Sequence, residues 1–230
     1  MSDGKDIKEE FGCEHHGRMT GDARREQILD TAVRLFSLHG FKGTTTKKIA
    51  EASGVSEAMV FRHFSTKDEL YGAILHSKAC EEGPHRFPWE NNEELQAAIA
   101  AKDDRKVFHN LAITALKKQQ ADEGFMRLMM YSALEEHDLA ERFFSEFVSK
   151  VYEFISAYIE QRQKDGAMRQ VNPRIVVRAY LGMIIHHSLN NILWDKKRRL
   201  LDISNEEAAE NFAEIILRGV TSEPGTLSLD

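Results

Sequence analysis

Two short apolar patterns on either side of a tight turn constrain this chain more than any other feature of its 230 residues. The patterns predict helices near Thr46–Ala52 and Glu57–Phe64, with Ser53-Gly54-Val55 between them. Two helices of about two turns each, joined by a turn that contains glycine, have the dimensions of a helix-turn-helix. Gly54 suits the turn because glycine readily adopts a positive φ. The segment therefore predicts a small unit that contacts DNA.

The rest of the sequence has helical periodicity almost throughout. Apolar residues recur at helical spacing after Asp22, and Gly40 predicts the end of this first helix. Thr66 and Glu69 have the spacing of a capping box that opens a fourth helix. Further helices are predicted near residues 91–101, 104–119, 122–136, 138–164, 173–195 and 205–219. Few runs alternate as strands do, so the predicted fold class is all-α, with an N-terminal three-helix helix-turn-helix domain and a larger helical domain.

Breaks in this pattern divide the chain into five predicted parts. Residues 1–20 mix Gly, His and charge without a period, and Gly83 to Pro88 interrupt the fourth helix. The predicted parts are a disordered tail over 1–20, the helix-turn-helix domain over 21–70, a connecting helix and linker over 71–90, the larger domain over 91–220 and a C-terminal tail over 221–230.

Composition and charge exclude several classes of protein. Hydrophobic residues make up 42% of the chain, and the two cysteines are too few for a disulfide framework. No apolar stretch predicts a membrane span or a secretory segment, so we expect a cytoplasmic protein with no membrane partner. The net charge of −6 argues against indiscriminate coating of nucleic acid. Only residues 21–70 are not acidic, with eight Lys/Arg against seven Asp/Glu, so phosphate contacts are expected there.

Lys47 and Lys48 stand in the first turn of a predicted helix, where a cation opposes the helix dipole. A phosphate docked at that helix end would remove the conflict. For these two residues taken alone, we would favour the alternative of an ordinary solvated charge pair.

Seven short sequence groups follow one another between Gly40 and Leu70. They are Gly40-Phe41, Thr44-Thr45, Ile49-Ala50, Gly54-Val55-Ser56, Phe61, His63-Phe64 and Lys67-Asp68-Glu69-Leu70. Together these groups resemble the DNA-binding domain of the tetracycline-repressor (TetR) family, over about 50 residues of the chain. The resemblance implies a ligand-responsive transcriptional regulator, expected to be a repressor. Such a regulator binds operator double-stranded DNA as a homodimer and is released by a small effector.

The resemblance also implies roles for the matched positions. Thr45 would cap the first helix of the pair and touch a phosphate, Ser56 would cap the recognition helix, and Lys67 would hold a phosphate. The predicted DNA contacts are Thr45, Thr46, Lys47, Lys48, Ser56, Glu57, Ala58, Met59, Phe61, Arg62, His63 and Lys67.

Two departures from the family's pattern affect how bases would be read. Phe61 stands where Tyr is common, so the phosphate contact of a hydroxyl is lost. Glu57 and Ala58 stand where a pair such as Lys-Gly is common. Glu57 can accept only from a base amino group, such as that of cytosine, whereas Ala58 and Met59 can pack on thymine methyls. Direct readout is therefore expected to be mainly apolar, with polar contacts from the Arg-His pair that follows.

Aromatic and methionine side chains are concentrated between residues 91 and 220, and such side chains line adaptable apolar pockets. For each of them, a place in an ordinary core is the alternative. The resemblance implies a pocket in this region for a small, largely apolar effector. The candidate lining residues are Phe108, Met126, Met130, Phe147, Met183 and His187.

Histidine and cysteine give weaker signals. Neighbouring residues on a helix point about 100° apart, so His186 and His187 do not easily chelate one metal; hydrogen-bonded histidines, buried or at an interface, are the alternative. Cys13, His15 and His16 could grip a metal weakly, but they lie in the predicted tail. We therefore predict no metal site, no cofactor and no catalytic residue.

Apolar stripes mark the last two predicted helices. One stripe comprises Ile175, Ala179, Met183 and His186, and the other Ala208, Phe212, Ile215 and Ile216. The resemblance implies that helices 173–195 and 205–219 form a four-helix bundle with a second subunit; the alternative is that they pack on their own chain. Two other functions stay open, a DNA-binding dimer that senses no effector, and an all-α enzyme or metal-binding protein without DNA binding. The last lacks a paired Glu-x-x-His motif, a phosphate loop and a nucleophile elbow.

Overall fold

The computed structural model describes residues 21–80, 87, 89–90 and 92–222. The helices are α1 (Gly21–Gly43), α2 (Thr46–Ala52), α3 (Glu57–His63), α4 (Lys67–Cys80), α5 (Glu93–Ala100), α6 (Asp104–Ala121), α7 (Glu123–Leu134), α8 (Asp138–Phe143), α9 (Ser149–Lys164), α10 (Pro173–Leu189) and α11 (Asn205–Val220). Within the described residues, β-pairing is confined to an isolated bridge between Met168 and Thr221. The predicted fold class, all-α with an N-terminal helix-turn-helix, is confirmed.

Local sequence signals account for most helix ends. Gly40 has a φ of 70° and bends α1 near its end, and Gly166, with a φ of 75°, follows α9. Asn172 caps α10 through its side chain, directly before Pro173. The predicted boundary at Gly83–Pro88 lies almost wholly outside the described residues, as do the predicted N-terminal tail and its Cys13, His15 and His16.

Two of the predicted helices each contain a π-helical turn that the sequence did not indicate. The segment predicted as one helix over 138–164 contains a π-helical turn at Phe144–Val148, and the helix predicted over 173–195 changes to a π-helical turn at Asn190–Trp194. In a π turn the backbone bonds run from i to i+5, which widens the helix locally. Apolar spacing does not distinguish such a turn from an ordinary helical turn.

Two apolar cores organise the described helices. The first core is formed by α1, α2, α3 and α4, and it also contains Leu128 and Met129 of α7 and Leu139 of α8. The second is formed by α5, α6, α9, α10 and α11. Because α7 packs along α1, the first core ties the helix-turn-helix to the C-terminal half of the chain.

Candidate nucleic-acid interface

The α2–α3 unit has the helix caps that its sequence predicts. The Thr45 hydroxyl accepts from the Lys48 backbone N–H (3.2 Å), and the Ser56 hydroxyl accepts from the Met59 backbone N–H (3.2 Å). Each cap satisfies a backbone donor that a helix start would otherwise leave unpaired. Gly54, in the turn between the helices, has the positive φ expected of it, 64°.

The buried side of α3 fixes which side chains the helix presents. Val60 and Phe64 are buried in the first core, so the opposite face turns outward. Ala58, Phe61 and Arg62 are exposed on that face, and Phe61 has 46% of its surface accessible. The other predicted base-reading residues are half-buried: Glu57, Met59 and His63. The helix thus presents a largely apolar face with one cation.

A groove of about 420 Å³ lies beside this face. Its walls come from the α1–α2 corner, from α3 and from the start of α4. The lining residues are Lys42, Thr44, Thr45, Thr46, Phe61, Ser65, Thr66 and Lys67. Amines and hydroxyls donate hydrogen bonds, which suits the groove to the phosphate oxygens of a nucleic acid. Lys47 and Lys48 are exposed in the first turn of α2, and the Lys48 ammonium donates to the Gly43 carbonyl (3.2 Å).

Lys67 is held more firmly by its own chain than its sequence motif indicates. Its ammonium donates to the carbonyls of Phe41 (2.7 Å) and Thr44 (3.0 Å) and lies 3.8 Å from the centre of the Phe41 ring. Burial lowers the pKa of the Lys67 ammonium, and the carboxylates of Asp68 and Glu135 oppose that shift. Lys67 therefore braces the α1–α2 corner with two of its three N–H donors. Its contact with a phosphate stays a prediction.

A second polar connection ties the same corner to α7, and no sequence motif indicated it. Glu135, the residue after α7, accepts from the Phe41 backbone N–H (2.8 Å), and the Tyr131 hydroxyl donates to the Leu38 carbonyl (3.3 Å). A Cβ at Gly40 would lie 2.5 Å from a carboxylate oxygen of Glu135. The backbone conformation at the bend in α1 therefore requires glycine, and a side chain there would also displace the Glu135 carboxylate.

His137 extends this connection to α4. Its ring centre lies 4.5 Å from that of Phe41 and 4.4 Å from that of Tyr71, and its Nε2 lies 3.5 Å from the Asp68 carboxylate. A cleft of about 710 Å³ opens beside it, lined by residues of mixed charge. They are Arg25, Asp68, Glu69, Gly72, Ala73, Glu136, His137, Asp138 and Arg142. The α7–α8 connection therefore touches both helices that flank the α2–α3 unit.

Comparison with known proteins identifies this arrangement. Residues 28–74 match the family described as bacterial regulatory proteins, tetR family, and residues 111–219 match the AefR-like transcriptional repressor, C-terminal domain. The chain belongs to the TetR family. It is a DNA-binding transcriptional regulator and not an enzyme.

Curated HTH-type relatives include both a repressor and an activator. The repressor AcnR of Corynebacterium efficiens is 28% identical over 137 residues, which are 47% of this chain and 73% of AcnR. The activator FasR of Mycolicibacterium smegmatis is 34% identical over 95 residues, 39% of this chain and 43% of FasR. The regulator YvkB of Bacillus subtilis is 43% identical over 58 residues, 25% of this chain and 31% of YvkB. The chain thus matches less than half the length of the last two.

Solved structures share the TetR fold over most of this chain. NalD of Pseudomonas aeruginosa, the secondary repressor of the MexAB-OprM multidrug efflux pump, superposes with a TM-score of 0.65 at 22% identity, covering 88% of this chain and 98% of NalD. AibR, solved in complex with isovaleryl coenzyme A and operator DNA, gives a TM-score of 0.60 at 19% identity, covering 84% of this chain and 97% of AibR. At these identities the likeness shows the fold alone.

The candidate effector residues of this TetR chain do not form one group: two of the six lie in or against the second core, and none is part of the first. Phe108 is fully buried in the second core, edge-on to Tyr180, and Met183 packs against that core. Phe147 stacks on Phe143, which packs against the first core. The remaining candidates are half-buried: Met126, Met130 and His187. None of the six lines either cavity described above, and their role in effector binding stays a prediction.

The two apolar stripes predicted for a subunit contact are partly used by the chain itself. Ala208 and Ile216 of α11 are buried in the second core, as the alternative interpretation holds for them. Ile175 on α10 and Ile215 on α11, by contrast, have 67% and 57% of their surfaces exposed. Exposed Ala179 lies one helical turn beyond Ile175. An apolar strip on α10 and α11 is thus left open to solvent.

The described residues contain neither a candidate membrane span nor a candidate metal site. No helix there is both long enough and apolar enough to cross a membrane. No group of three or more His, Cys, Asp or Glu side chains in that part of the chain could hold a metal ion. Of the adjacent histidines, His186 is exposed near Trp194, and His187 lies 3.1 Å from the Asn191 side chain.

Proposed function

We propose that this TetR-family regulator is a repressor that binds operator DNA as a homodimer and leaves it when a small effector binds. The observation that carries the proposal is the exposed face of α3 beside a groove of amines and hydroxyls. The major groove admits an α-helix, and Ala58, Phe61 and Arg62 would meet base edges there.

The groove beside α3 supplies the contacts that would hold the protein in register. The Thr45 hydroxyl and the ammonium groups of Lys47, Lys48 and Lys67 would bind phosphate oxygens, whereas the Thr46 hydroxyl donates its proton to Glu57. Such contacts carry no sequence information and make binding depend on salt. Specificity would then come from α3, and mainly from apolar contacts.

A second copy of the chain is the partner we propose for the open strip on α10 and α11. Ile175, Ile185 and Ile215 are exposed there, and burying them against another copy would remove apolar surface from water. Exposed Ala179 and Gly182 allow a close approach of helix backbones. A two-fold pair would place two α3 helices on half-sites of one operator.

Release by an effector is supported by the connection between α7 and the helix-turn-helix. The hydrogen bond that Glu135 accepts from Phe41 and the one that Tyr131 donates to Leu38 fix the α1–α2 corner to α7. Helix α7 belongs to the C-terminal half of the chain. An effector that favours a different position of α7 would therefore move α2 and α3. The Met and aromatic side chains of this half suit a small, largely apolar effector.

Effector release is tested with the full chain on a duplex that it selects from a random library. A panel of small apolar compounds is screened for those that raise the melting temperature, which reports binding to the folded state. Each such compound should lower affinity for the duplex, and by linkage the duplex should weaken its binding. Glu135→Ala should keep compound binding but reduce its effect on the duplex. If compounds bind without changing the affinity for the duplex, effector release is contradicted, and the alternative of a DNA-binding dimer that senses no effector is favoured.

A further inference from the structure

Thr46 and Glu57 open the two helices of the DNA-binding unit and are joined to each other. The Thr46 hydroxyl donates to Oε1 of Glu57 at 2.5 Å, and both side chains are half-buried. Within the described part of the chain, the ion pairs of Lys and Arg do not include Glu57. One carboxylate oxygen is thus fixed by Thr46, while no residue in the described part of the chain donates a hydrogen bond to the second oxygen, Oε2.

A carboxylate at this position is unfavourable for binding DNA in general. It stands in the first turn of α3, the part of a recognition helix that reaches base edges, and phosphates run along both sides of the groove. Like charges repel there, and a carboxylate has no proton to donate to a phosphate. A helix selected for affinity alone would carry a neutral or basic residue here. The start of α3 and the Thr46 hydroxyl stabilise this charge within the chain. On DNA, its repulsion by the phosphates is offset only where a base donates to the carboxylate.

Base chemistry restricts the partner of the free oxygen. In the major groove only cytosine N4 and adenine N6 donate hydrogen bonds, whereas guanine and thymine present acceptors. Adenine places its N7 acceptor beside its donor, so a carboxylate that approaches adenine also meets a lone pair. Cytosine presents its amino donor without an adjacent acceptor of its own. A single free carboxylate oxygen therefore matches cytosine.

We propose that Glu57 selects cytosine at one position of each operator half-site, and that Thr46 is the positioning residue that aims its carboxylate. The inference rests on the proposed binding of operator DNA. Glu57 lowers affinity for every other sequence and restores it only on the cytosine, so it contributes to specificity by repulsion as well as by attraction. Thr46 acts through Glu57 by holding one oxygen and leaving the other for the base.

The test is a selection from randomised duplexes, made with the full chain and with Glu57→Gln. In the variant, the amide oxygen can accept from Thr46, which leaves the amide NH₂ to face the base. The preference of the protein for cytosine at one half-site position should then fall by about tenfold, and bases that present acceptors should be favoured there instead. Affinity for random duplex should rise, because a negative charge is removed. Glu51→Gln, the same charge change at an exposed site of α2, should leave base preference unchanged.

Thr46→Val keeps the shape of the side chain and removes its hydroxyl donor. It should reduce the cytosine preference several-fold and leave random-duplex affinity nearly unchanged. The inference is overturned if Glu57→Gln keeps the wild-type base preference at every position. It is also overturned if the variant binds all sequences equally more weakly and melts at a lower temperature, because Glu57 would then only stabilise the packing of α2 against α3. A wild-type chain that selects no sequence would instead overturn the proposed operator binding itself.

Discussion

Met59 lies at the edge of the exposed face of α3 and is half-buried. We expect Met59→Ala to weaken binding by about 1–2 kcal/mol at one operator position per half-site, because a lost thymine-methyl contact affects only that base. Random duplex should bind nearly as before. Since Met59 is outside the core, the loss of stability should stay below the roughly 2–5 kcal/mol of a buried Met truncation.

Thermal melting beside operator and random-duplex titrations separates these effects. A large drop in melting temperature with an unchanged ratio of operator to random affinity would show that Met59 supports the fold and reads no base.

At the scale of single residues, sequence reasoning found what depends on near neighbours. The caps Thr45 and Ser56 and the positive φ of Gly54 follow from residues within three positions, and the structure confirms them. The brace formed by Lys67 depends on carbonyls 23 and 26 residues away, whose direction no motif encodes. Glu135, which binds the same corner, lies 94 residues from Phe41 and was missed.

The bend of α1 can be tested at the scale of elements by comparing two Gly→Ala substitutions, one in α1 and one in α7. We expect them to change the free energy of unfolding in different ways. Gly40 has φ 70° and ψ 177°, a region that essentially only glycine adopts, and a Cβ there would meet Glu135. Gly40→Ala should therefore lower the free energy of unfolding by about 1–3 kcal/mol. Gly124, on α7, has room for a Cβ, with its nearest neighbours at 3.7 Å. Gly124→Ala should be neutral or stabilising, by up to about 1 kcal/mol.

Denaturant unfolding of the two variants gives both numbers. Equal losses of stability in both variants would contradict the view that the backbone conformation of Gly40 requires glycine.

Helices were predictable as elements, but their contacts with one another were not. The sequence located the helices of the described chain to within a few residues. The signals were the apolar periodicity, the Asn172 cap before Pro173 and the glycines that follow helices. The π turns stayed hidden, because they change hydrogen bonding without changing composition. The bidentate pairing of Arg162 with Asp104 (2.7 and 3.1 Å), which fixes α9 to α6, joins residues 58 positions apart and has no local signal.

The proposed dimer is tested at the scale of the whole molecule with two matched charge substitutions. Ile215 is exposed in the strip on α11, so Ile215→Glu should produce a monomer and weaken operator binding, because the half-sites are then bound separately. Leu134, at the end of α7, is 82% exposed and lies outside the strip, and Leu134→Glu should leave the dimer intact. Light scattering at micromolar concentration measures both. Dimers of equal stability in the two variants would place the subunit contact elsewhere.

Stability should depend on pH through His187. Burial lowers the pKa of its imidazole, the charge of Arg198 acts in the same direction, and a hydrogen bond with Asn205 opposes the shift. The folded chain thus favours the neutral ring, whereas the unfolded chain takes up a proton near pH 6.5. The stability that His187 contributes is therefore present above that pH and is lost as pH falls towards the folded-state pKa.

The corresponding variant is His187→Gln, which is neutral at every pH. Between about pH 7.5 and 5 its melting temperature should fall less than that of the wild type. Parallel curves for the two proteins would contradict this role.

The effector pocket is the feature of the whole molecule that the sequence predicted least well. Met and aromatic residues are chosen equally by a core and by a pocket. Phe108, for example, is fully buried against Tyr180 and packs as a core residue does. Which apolar residues border a space depends on how helices from distant parts of the chain pack, and periodicity within one helix does not contain that information.

The central claim, sequence-specific DNA binding through α3, is tested most directly by one titration series. Binding of the full chain to a duplex that it has selected, and to a shuffled duplex of the same composition, is followed by fluorescence anisotropy between about 50 and 200 mM salt. We expect the selected duplex to bind at least about 10³-fold more tightly, and binding to both duplexes to weaken steeply as salt rises. Equal affinity for the two duplexes, or binding that salt does not change, would contradict the account.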